Sequence, residues 1–178
     1  MEMTEDFAIR PFQMDVDSID ELTRLLNVSY KQLSDLGLRY LATHQDSTIT
    51  RERIDGAHCL IALKDNRIIG TISFYKPGMK HGCPWYERDT VGVVGQYAVH
   101  PDYQGLGLGT LLLNRVETYA FQTGLKELAL DTAEPAAHLR SIYEKKGYRF
   151  IEFANWDVTN YRSVILSKTL PSKRENTQ

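Results

Sequence analysis

Cysteine is scarce in this chain: Cys59 and Cys83 are the only two in 178 residues. They lie in different kinds of segment and give neither a disulfide framework nor a C-x-x-C metal half-site, so reduced thiols in a cytoplasmic protein are expected. No apolar run approaches the roughly 20 residues of a membrane span, and the acidic opening Met1–Phe7 lacks the basic-then-apolar order of a secretory signal. An excess of one charge is also missing. Lys and Arg number 21 against 23 Asp and Glu, a net charge of -2, which supplies no general attraction to nucleic-acid phosphates or anionic lipid. Neither nucleic acid nor membrane is expected as a partner. His44, His58, His81 and His138 show no metal-ligand spacing with one another, so no metal is expected. There is no internal repeat and no low-complexity linker. What remains is ordinary globular composition, 42% hydrophobic and 25% charged, of a length that suits one domain over residues 1–170. The polar stretch Pro171–Gln178 is expected to fray.

Patterning places the elements. Phe7–Phe12 reads as a first strand. Ser18 and Glu21 form a capping-box pattern before Ile19, Leu22, Leu25 and Leu26 at helical spacing, and that helix should stop near Leu36 with Gly37 beyond it. Arg39–Arg53 is polar and ambiguous, with room for a second short helix. His58–Leu63 and Arg67–Tyr75 form a hairpin about Lys64, Asp65 and Asn66. Lys76–Thr90, with Pro77, Gly78, Gly82 and Pro84, is a loop too long to be a mere connection. Then follow a strand Val91–Val99, a glycine-rich turn, a helix of about Thr110–Gln122 closed by Gly124, a strand ending at Asp131, a short helix Ala136–Lys146, and strands Tyr148–Phe153 and Val164–Ser167. The order is mixed α/β, and a right-handed crossover would set the strand before Gly105 parallel to the one ending at Asp131.

The densest chemical signal is Gln104-Gly105-Leu106-Gly107-Leu108-Gly109-Thr110, between a strand and a helix. Glycines let a ligand approach the main chain, and the helix start offers N–H groups and the positive end of its dipole, so the turn suits an anion such as a pyrophosphate. The G-x-G-x-x-G dinucleotide fingerprint fails on register, and no Lys follows as a Walker A loop requires. Together with Ala98-Val99-His100-Pro101 upstream, Gln104, Gly107 and Gly109 resemble the acetyl-CoA signature of the GNAT superfamily of N-acetyltransferases, in which Gln or Arg precedes x-x-Gly-x-Gly. The resemblance covers roughly Phe7–Leu170, with specific motifs confined to Val91–Phe150. It implies a central mixed, mostly antiparallel sheet of about six or seven strands flanked by about four helices. It also implies acetyl-CoA as cosubstrate, its pyrophosphate held by the N–H groups of Gln104, Gly105, Leu106, Gly107, Leu108, Gly109 and Thr110. Main-chain groups of Tyr97, Ala98 and Val99 would bond its acetyl and pantetheine amides where the strand splays, a bulge that Gly92 and Gly95 suit.

A second motif follows in the order the family requires: Ile142-Tyr143-Glu144-Lys145-Lys146-Gly147-Tyr148 is similar to the GNAT helix ending in Tyr-Glu-Lys-x-Gly-Phe. Leu139, Ile142 and Tyr143 fall at i, i+3 and i+4, which puts Tyr143 on or beside a buried face, where a core tyrosine would also sit. In the chemistry the resemblance implies, an amine attacks the thioester carbonyl directly and the leaving thiolate must be protonated. A phenol of pKa about 10 beside a thiolate of about 8.5 can supply that proton, and the family assigns this role to Tyr143. A main-chain N–H near Tyr97 would hold the oxyanion.

Two departures from the family stand out. Ala136 and Ala137 occupy the region where many relatives carry an Asn, and Val91–Val99 contains neither Glu nor His as a base. Glu87, Asp89, Asp131, Glu134 and a water relay through Tyr97 are the candidates for that role. The missing base leaves a catalytically silent acyl-CoA-binding module as the alternative. His100, ahead of Pro101, is expected to point away from the cleft, and Cys83 has no setting that would activate it as a nucleophile. The resemblance implies that acceptor specificity lies in the first helices and in Lys76–Thr90, where Trp85 and Tyr86 line a pocket or simply anchor the loop. Glu87 and Asp89 would attract an ammonium. The expected acceptor is a small amine, such as an amino acid or an antibiotic, or a peptide N-terminus, and a homodimer is compatible with the resemblance.

Overall fold

The structure, a computed structural model, describes residues 7–172. The opening residues before Phe7, and the expected tail from residue 173 on, lie outside the described residues. Seven strands form one sheet in the order β1-β2-β3-β4-β5-β7-β6: β1 Ala8–Pro11, β2 His58–Lys64, β3 Arg67–Tyr75, β4 Val91–Val99, β5 Glu127–Ala133, β6 Arg149–Asn155 and β7 Arg162–Thr169. The helices are α1 Ile19–Asp35, α2 Ser47–Ile54, α3 Leu108–Gln122 and α4 Ala137–Lys145, with single 3-10 turns at Leu41–Thr43 and Pro101–Tyr103. The chain divides into two compact units, residues 1–73 with 96–114 and residues 74–95 with 115–178, so that β3, β4 and α3 contribute to both.

In the first unit, Ser18 caps α1 by accepting from the Glu21 N–H at 3.2 Å. The reciprocal half of the capping box is not made, because the Glu21 carboxylate instead accepts from the Ile68 N–H at 2.8 Å and ties α1 to β3. Gly37 ends the helix at φ +79. The polar stretch that follows resolves into the Leu41–Thr43 turn and α2, whose N-cap Asp46 accepts from Ile49 N–H. Asp65 and Asn66 both take positive φ, 49° and 61°, as a two-residue type I′ hairpin demands. Ile19, Leu22, Leu25 and Leu26 pack with Ile54, Ile61, Ile68 and Ala98 as this unit's core, each large side chain contributing about 1.5–3 kcal/mol by burial.

In the second unit, β4 and β5 run parallel with Val91 opposite Glu127 and Val93 opposite Ala129, as the crossover rule anticipates. β7 pairs antiparallel with both β5 and β6. On α4, Leu139 and Tyr143 are partly buried, whereas Ile142 is 46% exposed. Around the helix axis residue i+4 lies about 40° from i whereas i+3 lies about 60° to its other side, so the partly buried edge shared by Leu139 and Tyr143 leaves Ile142 outside it.

Candidate active site

Strand β4 carries a break in its own geometry. Gln96 has φ +47 in mid-strand, a conformation that costs a non-glycine residue about 1–3 kcal/mol. Glycine was the expected bearer of a bulge, yet Gly92 and Gly95 do other work. A Cβ on Gly92 would stand 2.4 Å from the Phe74 ring, and one on Gly95 2.9 Å from the Tyr75 ring, so both permit close packing. Side chains hold the segment around Gln96. The Tyr30 hydroxyl donates to the Tyr97 carbonyl at 3.0 Å, and Gln45 Nε2 donates to Gln96 Oε1 at 2.9 Å. Ala98 turns its methyl into the core and can offer a ligand only its main chain.

Beyond β4 the chain makes the Pro101–Tyr103 turn, which the His100 ring caps by accepting from Asp102 N–H at 3.2 Å. This uses the imidazole locally. Gln104 folds back and donates to the Val99 carbonyl at 3.0 Å, closing the loop that presents the glycines. Gly105 and Gly107 take φ +77 and +85, and an added Cβ on either would meet nothing within 4 Å. They are required by backbone conformation, over open space. Helix α3 begins two residues earlier than its apolar periodicity indicates: Leu111 N–H bonds back to Gly107 O at 3.0 Å, so Gly107 occupies the cap. First-turn N–H groups of such a helix have no acceptor within it and face an approaching anion. Gly109 serves a different end, since the Tyr97 hydroxyl donates to its carbonyl at 2.5 Å and would lie 3.0 Å from a Cβ there. Leu106 and Thr110 are exposed while Leu108 is buried. The turn, the end of β4 and Tyr97 are thus brought together in one unit, and the cradle fits an anionic cosubstrate.

Tyr143 belongs to the second unit. Its ring is half-buried and meets Tyr148 edge-on, with centroids 6.1 Å apart at 68°. Tyr148 in turn donates to Glu117 at 3.0 Å, which fixes the ring that Tyr143 leans on.

The 76–90 segment is anchored by its aromatic residues. Tyr86 is 3% exposed, stacks on Trp156 at 6.0 Å and 16°, and donates to Asp131 at 3.2 Å. Burial, reinforced by the Asp131 charge, holds its phenol well above the ordinary value. Gly82 passes so close to Trp156 that a Cβ would stand 2.7 Å from the indole. Cys83, in the same long loop, is buried, and burial pushes its thiol up to about 11, which keeps it protonated and unreactive.

Candidate bases sort by their partners. The His81 hydrogen bond holds Glu87 below its usual range, and the Arg162 hydrogen bond does the same to Glu134, the opposite of the upward tuning a base at neutral pH needs. Asp131 accepts from Tyr86, Trp156 Nε1 and Ser163. Asp89 is exposed. A relay through Tyr97 meets a hydroxyl already committed to Gly109. Among the described residues no group of His, Cys, Asp and Glu could hold a metal ion, and no helix is long and apolar enough to cross a membrane. Tyr30, Gln45 and Gln96 were missed in sequence; the one available signal was a glutamine interrupting the apolar run of β4.

Residues 19–148 match the model of the Acetyltransferase (GNAT) family. The chain is 32% identical over 131 residues to the S-(2-succino)cysteine N-acetyltransferase of Bacillus subtilis, covering 72% of this chain and 77% of that protein. It is 26% identical over 166 residues to the S-alkylcysteine N-acetyltransferase of the same organism, covering 90% and 89%. Among solved structures, an acetyltransferase from Streptococcus agalactiae matches with a TM-score of 0.70 at 20% identity, over 92% of this chain and 98% of that one. A GNAT family acetyltransferase from Elizabethkingia anophelis with acetyl-CoA bound gives 0.67 at 17% identity, over 94% and 100%. At those identities the structures speak for the fold alone.

Proposed function

The chain belongs to the GNAT family of acetyltransferases, and from that premise we propose that it transfers the acetyl group of acetyl-CoA to the α-amino group of an S-substituted cysteine. The names of the two Bacillus subtilis relatives support the acceptor class. The observation that carries the donor side is the open glycine cradle at Gly105 and Gly107 ahead of α3. In this reading the N–H groups from Gly105 to Thr110 hold the pyrophosphate, whereas the Gln104 N–H, expected from sequence to join them, closes the preceding turn by donating to the Pro101 carbonyl at 3.3 Å. A main-chain N–H of the Gln96–Ala98 stretch takes the negative charge that develops on the carbonyl oxygen. The amine nitrogen forms a bond to the carbonyl carbon, the carbon–sulfur bond breaks, and Tyr143 gives its proton to the departing thiolate. Cytoplasm, where both Cys59 and Cys83 stay reduced, is the compartment that suits this chemistry.

Glu87 and Glu134 are held below their usual range by His81 and Arg162, and in this reading the proton of the amine goes to water. The α-amino group of a free amino acid titrates above the value of about 7.7–8.0 for a peptide N-terminus, because its own carboxylate stabilises the ammonium, so the neutral amine that attacks is a minor form at neutral pH and grows as pH rises. The test is thiol release from acetyl-CoA across S-alkylcysteines, S-carboxyalkylcysteines, unmodified amino acids, aminoglycosides and short peptides. S-substituted cysteines should show the highest kcat/KM, and the rate should rise with pH up to the acceptor's own pKa and follow it when the acceptor is changed. Preference for a peptide or aminoglycoside would overturn the acceptor assignment. A pH profile fixed across acceptors would reveal a protein base.

A further inference from the structure

The left-handed residue in β4 is held by a buried polar chain that begins outside the strand. Arg53 on α2 donates to Gln45 Oε1 at 2.6 Å. Arginine can only donate, so this bond fixes which end of the Gln45 amide is oxygen. Its Nε2 must then face the other way, where it donates to Thr50 Oγ1 at 2.8 Å and to Gln96 Oε1 at 2.9 Å. Gln45 and Gln96 are 2% and 3% exposed. The backbone around Gln45 is pinned in its turn by Asn27 on α1, which donates to the carbonyls of Ala42 and Gln45. Gln96 Nε2 is buried with no partner in the protein. Its amide therefore sits where the bond to Gln45 places it, although its own hydrogen bonding is left incomplete. A strained φ at one position, an incompletely satisfied side chain and a directional relay aimed at that position together mark a conformation imposed from outside.

We infer that the Arg53–Gln45–Gln96 relay positions the acyl donor: it holds residue 96 left-handed, and through that the main chain of the following residues, so Gln45 and Gln96 are positioning residues for acetyl transfer. This rests on the acetyltransferase reading. The relay is needed because residue 96 is not glycine, and that supplies the test.

Gln96→Gly and Gln96→Ala both delete the amide, but only glycine adopts positive φ without strain. With the best acceptor, Gln96→Ala should fall at least tenfold below Gln96→Gly in kcat, with similar KM for acetyl-CoA and both variants cooperatively folded. Gln45→Met should be slowed in the same way, and adding Gln96→Gly to it should bring the rate back to that of Gln96→Gly alone. Equal rates for the two position-96 variants, or no rescue in the double variant, would overturn the relay. A readout independent of turnover is the pair of backbone 13Cα and 13Cβ shifts of residue 96, which separate left-handed from extended geometry. These should move in Gln45→Met, and left-handed shifts retained in that variant would also overturn the relay. If the parent protein acetylates no amine, the acetyltransferase reading fails while these shifts still decide the relay.

Discussion

Gly107→Val should abolish the thermal stabilisation that acetyl-CoA confers on the parent protein. A ligand at a hundred times its Kd adds about 2.7 kcal/mol to the folded state, which for a domain of this size raises Tm by roughly 5–10 °C. Gly107 caps α3 at φ +85 over open space, so valine there forces the backbone out of its conformation and puts a branched side chain where the anion would lie. The unliganded variant should also lose stability, by about 1–3 kcal/mol for a β-branched residue at positive φ. That loss must be separated from the lost binding. Gly37→Val supplies the control: its φ is +79, also with nothing within 4 Å, and it ends α1 outside the turn. It should show a lowered Tm and a normal acetyl-CoA shift. If Gly107→Val keeps the full shift, the turn does not hold the pyrophosphate.

Tyr143→Phe is expected to lower single-turnover acetyl transfer by about a hundredfold, the low end for positioned acid catalysis, because a thiolate departs readily. The ring contact with Tyr148 survives in phenylalanine, so fold and acetyl-CoA affinity should persist. Saturating acetyl-CoA and a single-turnover regime keep binding and product release out of the comparison. The loss should shrink for acyl donors with more acidic thiols, whose departure needs less help. Rates matching the parent within about twofold, against an expected loss far larger, would make Tyr143 a packing residue.

The fold was legible where local chemistry and tertiary packing agree. Ser18, Gly37 and the Asp65-Asn66 pair each mark an element boundary because the residue's own conformational preference sets the geometry. The glycine turn was legible for the same reason, since Gly105 and Gly107 occupy conformations that glycine favours. What stayed hidden was decided by contacts distant in sequence. Propensity assigns the irregularity in β4 to a glycine, but Gly95 and Gly92 make room for the Tyr75 and Phe74 rings, and the left-handed residue is Gln96 because Gln45 holds it there. The Glu21 carboxylate left its capping box for a backbone donor on β3, a choice no local pattern records. Sequence left Tyr86 either lining a pocket or anchoring its long loop, and Asp131 on β5 and Trp156 just after β6 decide for the anchor. The family itself was legible because two motifs, around Gln104 and around Tyr143, occur in the family's order.

The most direct test of the account is to mix the purified protein with acetyl-CoA and S-methylcysteine and follow both products together, CoA thiol by colorimetry and the acetylated amine by mass spectrometry. Direct transfer predicts that the two appear in equal amounts from the first turnover, that the acetyl group resides on nitrogen, and that the protein mass never changes. Thiol release without acetylated amine, or a protein carrying the acetyl group when the amine is withheld, would contradict it.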